Sequence, residues 1–562
     1  MSKITIIGGD LIEEVGGSYK IYAKGGYEIT SGKEIIFNAK GGIKYGTALS
    51  PPPPEVEAKC IVHFRPQREW KGEYGFCWFR EKNKEISDSE EYEKLVGKYY
   101  QFKDSELLEE KPEKFQKILE TYYTSDDRAN FPDKDTADTY LRFYIDDDNK
   151  WYKYRQKVTK AKDNTEEYEK TVVETIHNFK KDPQYRDSNN SLQRLKEDYS
   201  SFQYPRKGKK DSVETVVYHG SYIALFPKAA SYGKSEADID MKISFLEEKK
   251  PDYLVFKVNG QPLKADDTFI GIQQIKNEKS KNQEPATQGG IIKIENPKEK
   301  ETIKISCKTA DKFTTDKKIE VYAVQIKQDK TETETLAGCI TMIAPVIRNI
   351  NVAIVGVKTK ITDDVSSKQV FGRPVDNWLI FFKKALGQAL IKVNIVDKQT
   401  SKFIELDISN TPKFSTTFGV TDGIITKTGG LKKLLDKKFT EDYPSISDTH
   451  YKLYFLDVGC GEPGEEGGRT LGFSNYGAIS GVMFDGHNEA TIAHECLHAM
   501  GLPHSFFHRN SNYVFKAMET NNIMDYSHMK VDPATKSEHT SKARYYIWKW
   551  QWEIVRGYSL LI

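Results

Sequence analysis

Three histidines and a glutamate stand in one short run, His494-Glu495-Cys496-Leu497-His498-Ala499-Met500-Gly501-Leu502-Pro503-His504. On a helix, residues i and i+4 share a face, so His494 and His498 can offer imidazoles to one ion. Glu495 follows the first ligand and is no ligand itself. It points to the open coordination position, where it can take a proton from water on the metal. Gly501 can adopt the positive φ that ends a helix and turns the chain, bringing His504 round as a third ligand. Three protein nitrogens and one water make the catalytic rather than the structural zinc pattern, so one Zn2+ is expected.

Downstream lies Asn521-Asn522-Ile523-Met524-Asp525-Tyr526-Ser527. The extended histidine motif followed by Ile-Met-x-Tyr resembles the metzincin metalloproteases, most closely the pappalysin and astacin types. The resemblance covers about the last 210 residues of the chain. It implies that Met524 lies in a tight turn beneath the imidazoles. It also implies that Tyr526 approaches the metal or the reaction intermediate, and that the activity is endopeptidase, with a protein or peptide substrate.

Seven of the 11 histidines fall between 487 and 539; beyond the three ligands they are His487, His508, His528 and His539. His508 competes as a ligand, but Pro503 and the glycine turn argue against a helical His504–His508 pair. Cys460-Gly461-Glu462-Pro463-Gly464 resembles a cysteine-switch run, yet reads better as a Gly-Pro loop. Glu462, Glu465 and Glu466 could bind Ca2+ or form a solvated loop.

Other elements must position this site. Leu471-Gly472-Phe473 and Val482-Met483-Phe484 read as strand pieces upstream, one offering a sheet edge to an extended peptide. Asn488 is a candidate cap for the motif helix. Val352–Val357 reads as a buried central strand, with Ile391–Val396 and Tyr451–Val458 beside it. Asp376 is expected to cap a helix carrying Trp378, Phe381, Phe382, Ala385 and Ala389. A last helix is expected over 541–556.

The fold class is multidomain. Residues 1–50 are a small Gly-rich β module in which Ala23-Lys24-Gly25-Gly26 recurs as Ala39-Lys40-Gly41-Gly42. Stacked β repeat and simple hairpin pair both fit it. The segment resembles the spike-associated parts of contractile injection machines, including type VI secretion. Pro51–Pro54 form a stiff spacer. Residues 55–210 are a charge-dense α+β region, with strands near 60–64 and 74–79 and helices expected near 87–100, 112–123 and 165–181. Residues 212–335 alternate with period two (Ala237, Ile239, Met241, Ile243, Phe245; Leu254, Phe256, Val258) and read as an immunoglobulin-like β-sandwich. The polar stretch 329–334 marks its end. Residues 340–562 are the α/β catalytic domain, and a fragment starting near 340 is expected to retain zinc and some activity.

Lys+Arg 84 against Asp+Glu 82 leaves a net charge of +2, which excludes a phosphate-neutralising nucleic-acid binder. No apolar run is long enough to span a membrane. The six cysteines are scattered and expected to be mostly free thiols. The start of the chain lacks a secretory apolar stretch, so export by a signal-less, contractile-injection route is expected, with spike or tube components as partners. A different class of function is a tail-associated structural or interaction protein whose zinc site is inactive or stabilising. A third is a zinc amidase acting on cell-wall peptide.

Overall fold

The computed structural model describes residues 58–97, 191–207, 212–275, 290–309, 313–360, 362–364, 368–396, 403–461, 470–506, 513–516, 518–528 and 541–561, Ile36, and the backbone of several strands between 99 and 186. The repeat in 1–50, the spacer Pro51–Pro54, the acidic run after Cys460, and His508 and His539 lie outside them. Residues 58–562 form one compact unit that is mostly β, built from several sheets, with helices concentrated towards its C-terminal end. Among the described residues, no helix is long and apolar enough to cross a membrane.

Two sheets enclose the first core. One is antiparallel and orders Cys60–Pro66, Glu236–Phe245, Lys300–Cys307 and Ile270–Gln274. The other runs Gln261–Pro262, Tyr253–Val258, Lys317–Ile326, Glu332–Met342, Ser221–Ala224, Gly75–Cys77, with Lys293–Glu295 on Tyr253–Val258. Alternation sets which residues face inward: Ala237, Ile239, Met241 and Ile243 are buried while their neighbours are not. They share a core with Leu254, Phe256, Ile319 and Val321 of the facing sheet. The tip between Val258 and Gln261 is Asn259-Gly260, both at positive φ (52° and 75°), the two-residue turn whose twist matches a hairpin.

Several details depart from the sequence expectations. The stretch 329–334 closes a hairpin between Lys317–Ile326 and Glu332–Met342, and the sheet runs on to Met342. Strands from residues 60–77 belong to both sheets, because a strand's period fixes its inward face but not its neighbour. The expected helices at 112–123 and 165–181 are strands over Lys117–Leu119 and Glu166–Ile176. Thr171, Val172, Val173, Thr175 and Ile176 are β-branched, and the segment pairs along its length with Trp151–Lys160.

The C-terminal sheet carries the site. Arg348–Lys360 runs parallel to Ile391–Val396, Ile404–Asp407 and Tyr451–Phe455. Tyr451–Phe455 runs parallel to Ser480–Met483, and the antiparallel Gly472–Ser474 forms the edge. Arg348–Lys360 is buried from Val352 to Val357, as a continuous apolar run requires. The helix Trp378–Gly387 starts at Asn377, which sits at φ 61° without a side-chain cap, so Asp376 does not cap it. Asparagine tolerates that left-handed conformation and turns the chain into the helix.

The last helix covers only Lys549–Val555. The backbone ahead of it is committed elsewhere: Lys542 N–H donates to Ser527, Tyr545 N–H to Asn521, and Ile547 N–H to the Gln388 side chain. Residues 70–97 pack onto the same region. Trp70 stacks edge-on with Tyr545 at 5.7 Å, and Val96 bridges to Phe515. Lys516 N–H donates to Leu95, and Gly97 N–H to Val514.

Candidate metal centre

The motif run forms the helix Glu489–Ala499, whose residues from Thr491 to Ala499 are all buried. The Asn488 side chain accepts from the Thr491 N–H at 2.9 Å, satisfying one of the four donors a helix start leaves free. At the other end Gly501 sits at φ 97°. Its N–H donates to His498 at 2.9 Å and the Leu502 N–H to Leu497 at 3.0 Å, the paired closing bonds of a glycine-terminated helix. This turn exposes the Leu502 carbonyl to His498.

His498 Nδ1 lies 2.7 Å from that carbonyl, and His494 Nδ1 lies 2.8 Å from the carbonyl of Ile523. A carbonyl only accepts, so both Nδ1 atoms carry the proton and both Nε2 atoms keep a lone pair. His498 Nε2 and His504 Nε2 are 3.1 Å apart, and one ring nitrogen from each of the three histidines lies within 4.8 Å of the others. Burial pushes all three imidazoles below their ordinary range: His494 well below it, His498 to about 4 and His504 to about 3. Neutral and convergent, with His494 and His498 oriented by carbonyls, the three nitrogens fit a first-row divalent ion such as zinc.

Glu495 is buried beside them, and desolvation raises its carboxyl to about 8 against the pull of Arg544 and a hydrogen bond from the Ser474 N–H. The edge strand comes this close because Gly472 has no side chain; a Cβ there would sit 3.0 Å from Glu495 Cγ. A divalent ion nearby would draw the same carboxyl back towards its charged form.

The opposite wall is the turn at 520–528. Asp525 accepts from the Met518, Thr520 and Tyr526 N–H groups (2.7, 2.9 and 2.7 Å) and from the Thr520 hydroxyl at 2.6 Å. Met524 is fully buried, and its carbonyl accepts from the Ser505 N–H at 3.0 Å, tying the turn to the residue after His504. The Tyr526 ring packs edge-on against His504 with centroids 4.6 Å apart and lies 6.0 Å from His494. Burial raises its hydroxyl to about 12, so it stays protonated as a donor.

Of the other histidines in this region, His487 is buried with Nδ1 2.7 Å from the Phe484 carbonyl, outside the cluster. Cys460 pairs in a strand with Ile425 and belongs to no metal-capable group among the described residues. All six cysteines are free and buried.

Three residues of the site carry no motif signal. Arg544, 94% buried by its 6% exposure, donates from Nη1 to the Asp525 carbonyl at 3.1 Å. Glu90 accepts from the Asn521 N–H at 2.9 Å and the Tyr546 hydroxyl at 2.7 Å. Buried Gln388 donates to the Tyr545 carbonyl at 2.9 Å and accepts from the Ile547 N–H at 3.1 Å. The only advance signal for Glu90 and Gln388 would have been a coupling to residues more than 150 positions away.

The chain matches no protein-family model and no curated protein.

Proposed function

We propose that the chain is a metzincin-like zinc endopeptidase. One observation carries the reading: a helix-borne glutamate sits against three convergent imidazoles, two of them oriented by backbone carbonyls, with a sheet edge alongside. A bound zinc supplies Lewis acidity towards the scissile carbonyl and a lowered pKa for the attacking water. Glu495 takes the water's proton on its carboxylate and returns it to the leaving amine nitrogen. The outer backbone groups of the Gly472–Ser474 edge, other than the Ser474 N–H that Glu495 takes, pair with an extended substrate, and the absent Gly472 side chain lets that substrate lie next to Glu495. The Tyr526 hydroxyl donates to the oxygen on which negative charge develops.

The test is metal content and peptide hydrolysis on the full chain. Wild type is expected to carry about one zinc per chain and to cleave a broad peptide library. Glu495→Ala is expected to keep zinc and lose turnover by roughly 10²–10⁴-fold or more. His494→Ala, His498→Ala and His504→Ala are expected to lose zinc. Full zinc in all three histidine variants, or undiminished turnover in Glu495→Ala, refutes the reading. Delivery by a contractile machine belongs to the same proposal and rests on the glycine-rich repeat of residues 1–50; equal export with and without that segment would refute it.

A further inference from the structure

Each of the three imidazoles has an aromatic ring against it. Tyr526 and Phe506 cover His504, with centroids 4.6 and 5.1 Å away, and Tyr526 also reaches His494. Tyr476 meets His498 edge-on at 5.9 Å. Tyr526 and Phe506 are half-buried, whereas Tyr476 is 51% exposed. An exposed ring by itself is ordinary on a protein surface. Tyr476 differs in how firmly its backbone is held and in where that backbone lies.

Tyr476 sits in the turn that joins the edge strand Gly472–Ser474 to Ser480–Met483. The Ala478 N–H donates to the Asn475 carbonyl at 3.1 Å and closes the turn. Gly477, at φ 68°, donates its N–H to the carbonyl of Ala499, the last residue of the motif helix, at 2.9 Å. The Tyr558 hydroxyl donates to the Ala478 carbonyl, and the Ser474 hydroxyl to the Ser480 carbonyl at 2.9 Å. The turn is thus tied to the motif helix, to Tyr558 and across its own two strands. A ring carried on so braced a turn has little freedom to lose when a ligand packs on it, so most of the contact appears as affinity.

The direction of the edge strand sets what the ring overlooks. Antiparallel pairing is the more stable per residue. A peptide laid antiparallel on Gly472–Ser474 runs its amino-terminal half towards Tyr476. Glu495 takes the Ser474 N–H, which fixes that carboxylate near Ser474. Tyr476 is two residues further on, about 7 Å at most along the chain. His498, which the ring touches, is three residues beyond Glu495, about 4.5 Å along the helix axis. Both routes place the ring opposite a substrate residue one to three positions ahead of the cleaved bond.

We propose that Tyr476 is a specificity-determining residue whose exposed ring packs on an aromatic side chain of the substrate, one to three positions on the amino-terminal side of the cleaved bond. The proposal rests on the peptidase reading and adds a substrate class to it: peptides with Phe, Tyr or Trp there. An aromatic partner covers the open half of the ring and adds the ring–ring attraction that an aliphatic chain of similar size lacks.

Blocked peptides of mixed sequence, each with Phe, Leu or Ala at one fixed position, test this. The zinc-loaded full chain is given each peptide, mass spectrometry locates the cleaved bond, and kcat/KM is read. Binding is read by fluorescence anisotropy on the full-length Glu495→Ala chain. A Phe-over-Ala ratio of about tenfold is expected in both assays when Phe lies one to three positions ahead of the bond. Tyr476→Ala should bring the ratio near one with zinc retained, and Tyr476→Phe should keep it. If Tyr476→Ala loses zinc or fold, Tyr476→Leu carries the test: the Phe-over-Leu ratio, about severalfold in wild type, should fall near one.

A ratio that survives loss of the ring, or a preference confined to the carboxyl-terminal side of the bond, overturns the proposal. Equal cleavage of Phe, Leu and Ala peptides overturns it too, and leaves the peptidase reading intact. Ring-dependent binding of Phe peptides that wild type never cleaves sustains the aromatic contact and overturns the peptidase reading.

Discussion

The two walls of the candidate metal centre are held in different ways. The helix Glu489–Ala499 is organised by its neighbours in sequence. Asn488 closes its start, Gly501 its end, and the carbonyl that orients His498 comes from Leu502, four residues on. The facing wall, from Met518 to Ser527, has no helix or strand to organise it. Its shape depends on the Asp525 carboxylate, on Asn522 bonded to Gln551 at 2.8 Å, and on Glu90, which reaches Asn521 across 431 positions. One wall is thus built from a local code, and the other from side chains that meet only once the chain has folded. The difference predicts where the site is fragile.

The largest effect is expected from cutting the chain. A fragment of residues 340–562 keeps the whole motif but loses Glu90, Trp70 and the backbone partners Leu95 and Gly97. It should fail to fold or to retain zinc, contrary to what the motif alone suggests. A cooperative melt and stoichiometric zinc in that fragment would break the comparison.

Next comes Glu90→Ala. It strips the acceptor from Asn521 and Tyr546 and leaves Arg80, itself buried 3.6 Å from that carboxylate, unpaired. Removing one partner of a buried ion pair typically costs about 3–5 kcal/mol. Denaturant melts and zinc competition should both record the loss. An unchanged zinc affinity would show that the turn holds its shape without this brace.

Glu495→Gln separates function from stability on the local wall. The folded carboxyl titrates near 8 rather than 4.5, so its ionised form is penalised by folding. That penalty is absent below pH 4.5, grows as pH rises towards 8, and is full above it. In chelator-treated protein the variant should therefore be the more stable at pH 8–9, by on the order of a few kcal/mol, with the difference fading towards pH 4. The histidines run the other way. Their folded values are depressed, so the stability they contribute is present above 6.5 and is lost as pH falls through about 4, equally in both proteins. A melting difference that does not depend on pH would contradict the assigned burial of Glu495.

Asn488→Ala is the smallest change, expected to cost about 1 kcal/mol without altering zinc content. If it matched Glu90→Ala in size, the contrast between the walls would collapse.

Much of the histidine wall is legible in the sequence itself. The spacing of His494, His498 and His504 requires a helix and a turn, because only 3.6-residue periodicity and a positive-φ glycine bring the three together. The strand runs at 237–245, 254–258 and 352–357 were equally legible, since alternation and continuous apolarity report burial directly. The helix expected at 165–181 failed because charge density hid a β-branched run, and the one at 112–123 because the sheet partner that decides such cases lies elsewhere in the chain.

Sequence alone therefore determined which three histidines converge, that Glu495 stands beside them, and the caps of the helix that carries them. All of these depend on contacts within a few residues, where backbone geometry leaves few alternatives. Tertiary structure alone decided that strands from residues 60–77 join the central sheets, and that Glu90 and Gln388 brace the far wall. It also decided that Arg544 comes to rest buried beside Asp525, donating to its carbonyl. Such contacts join residues tens to hundreds of positions apart. No local propensity encodes them, and they form only where packing excludes water and makes an unpaired polar group expensive.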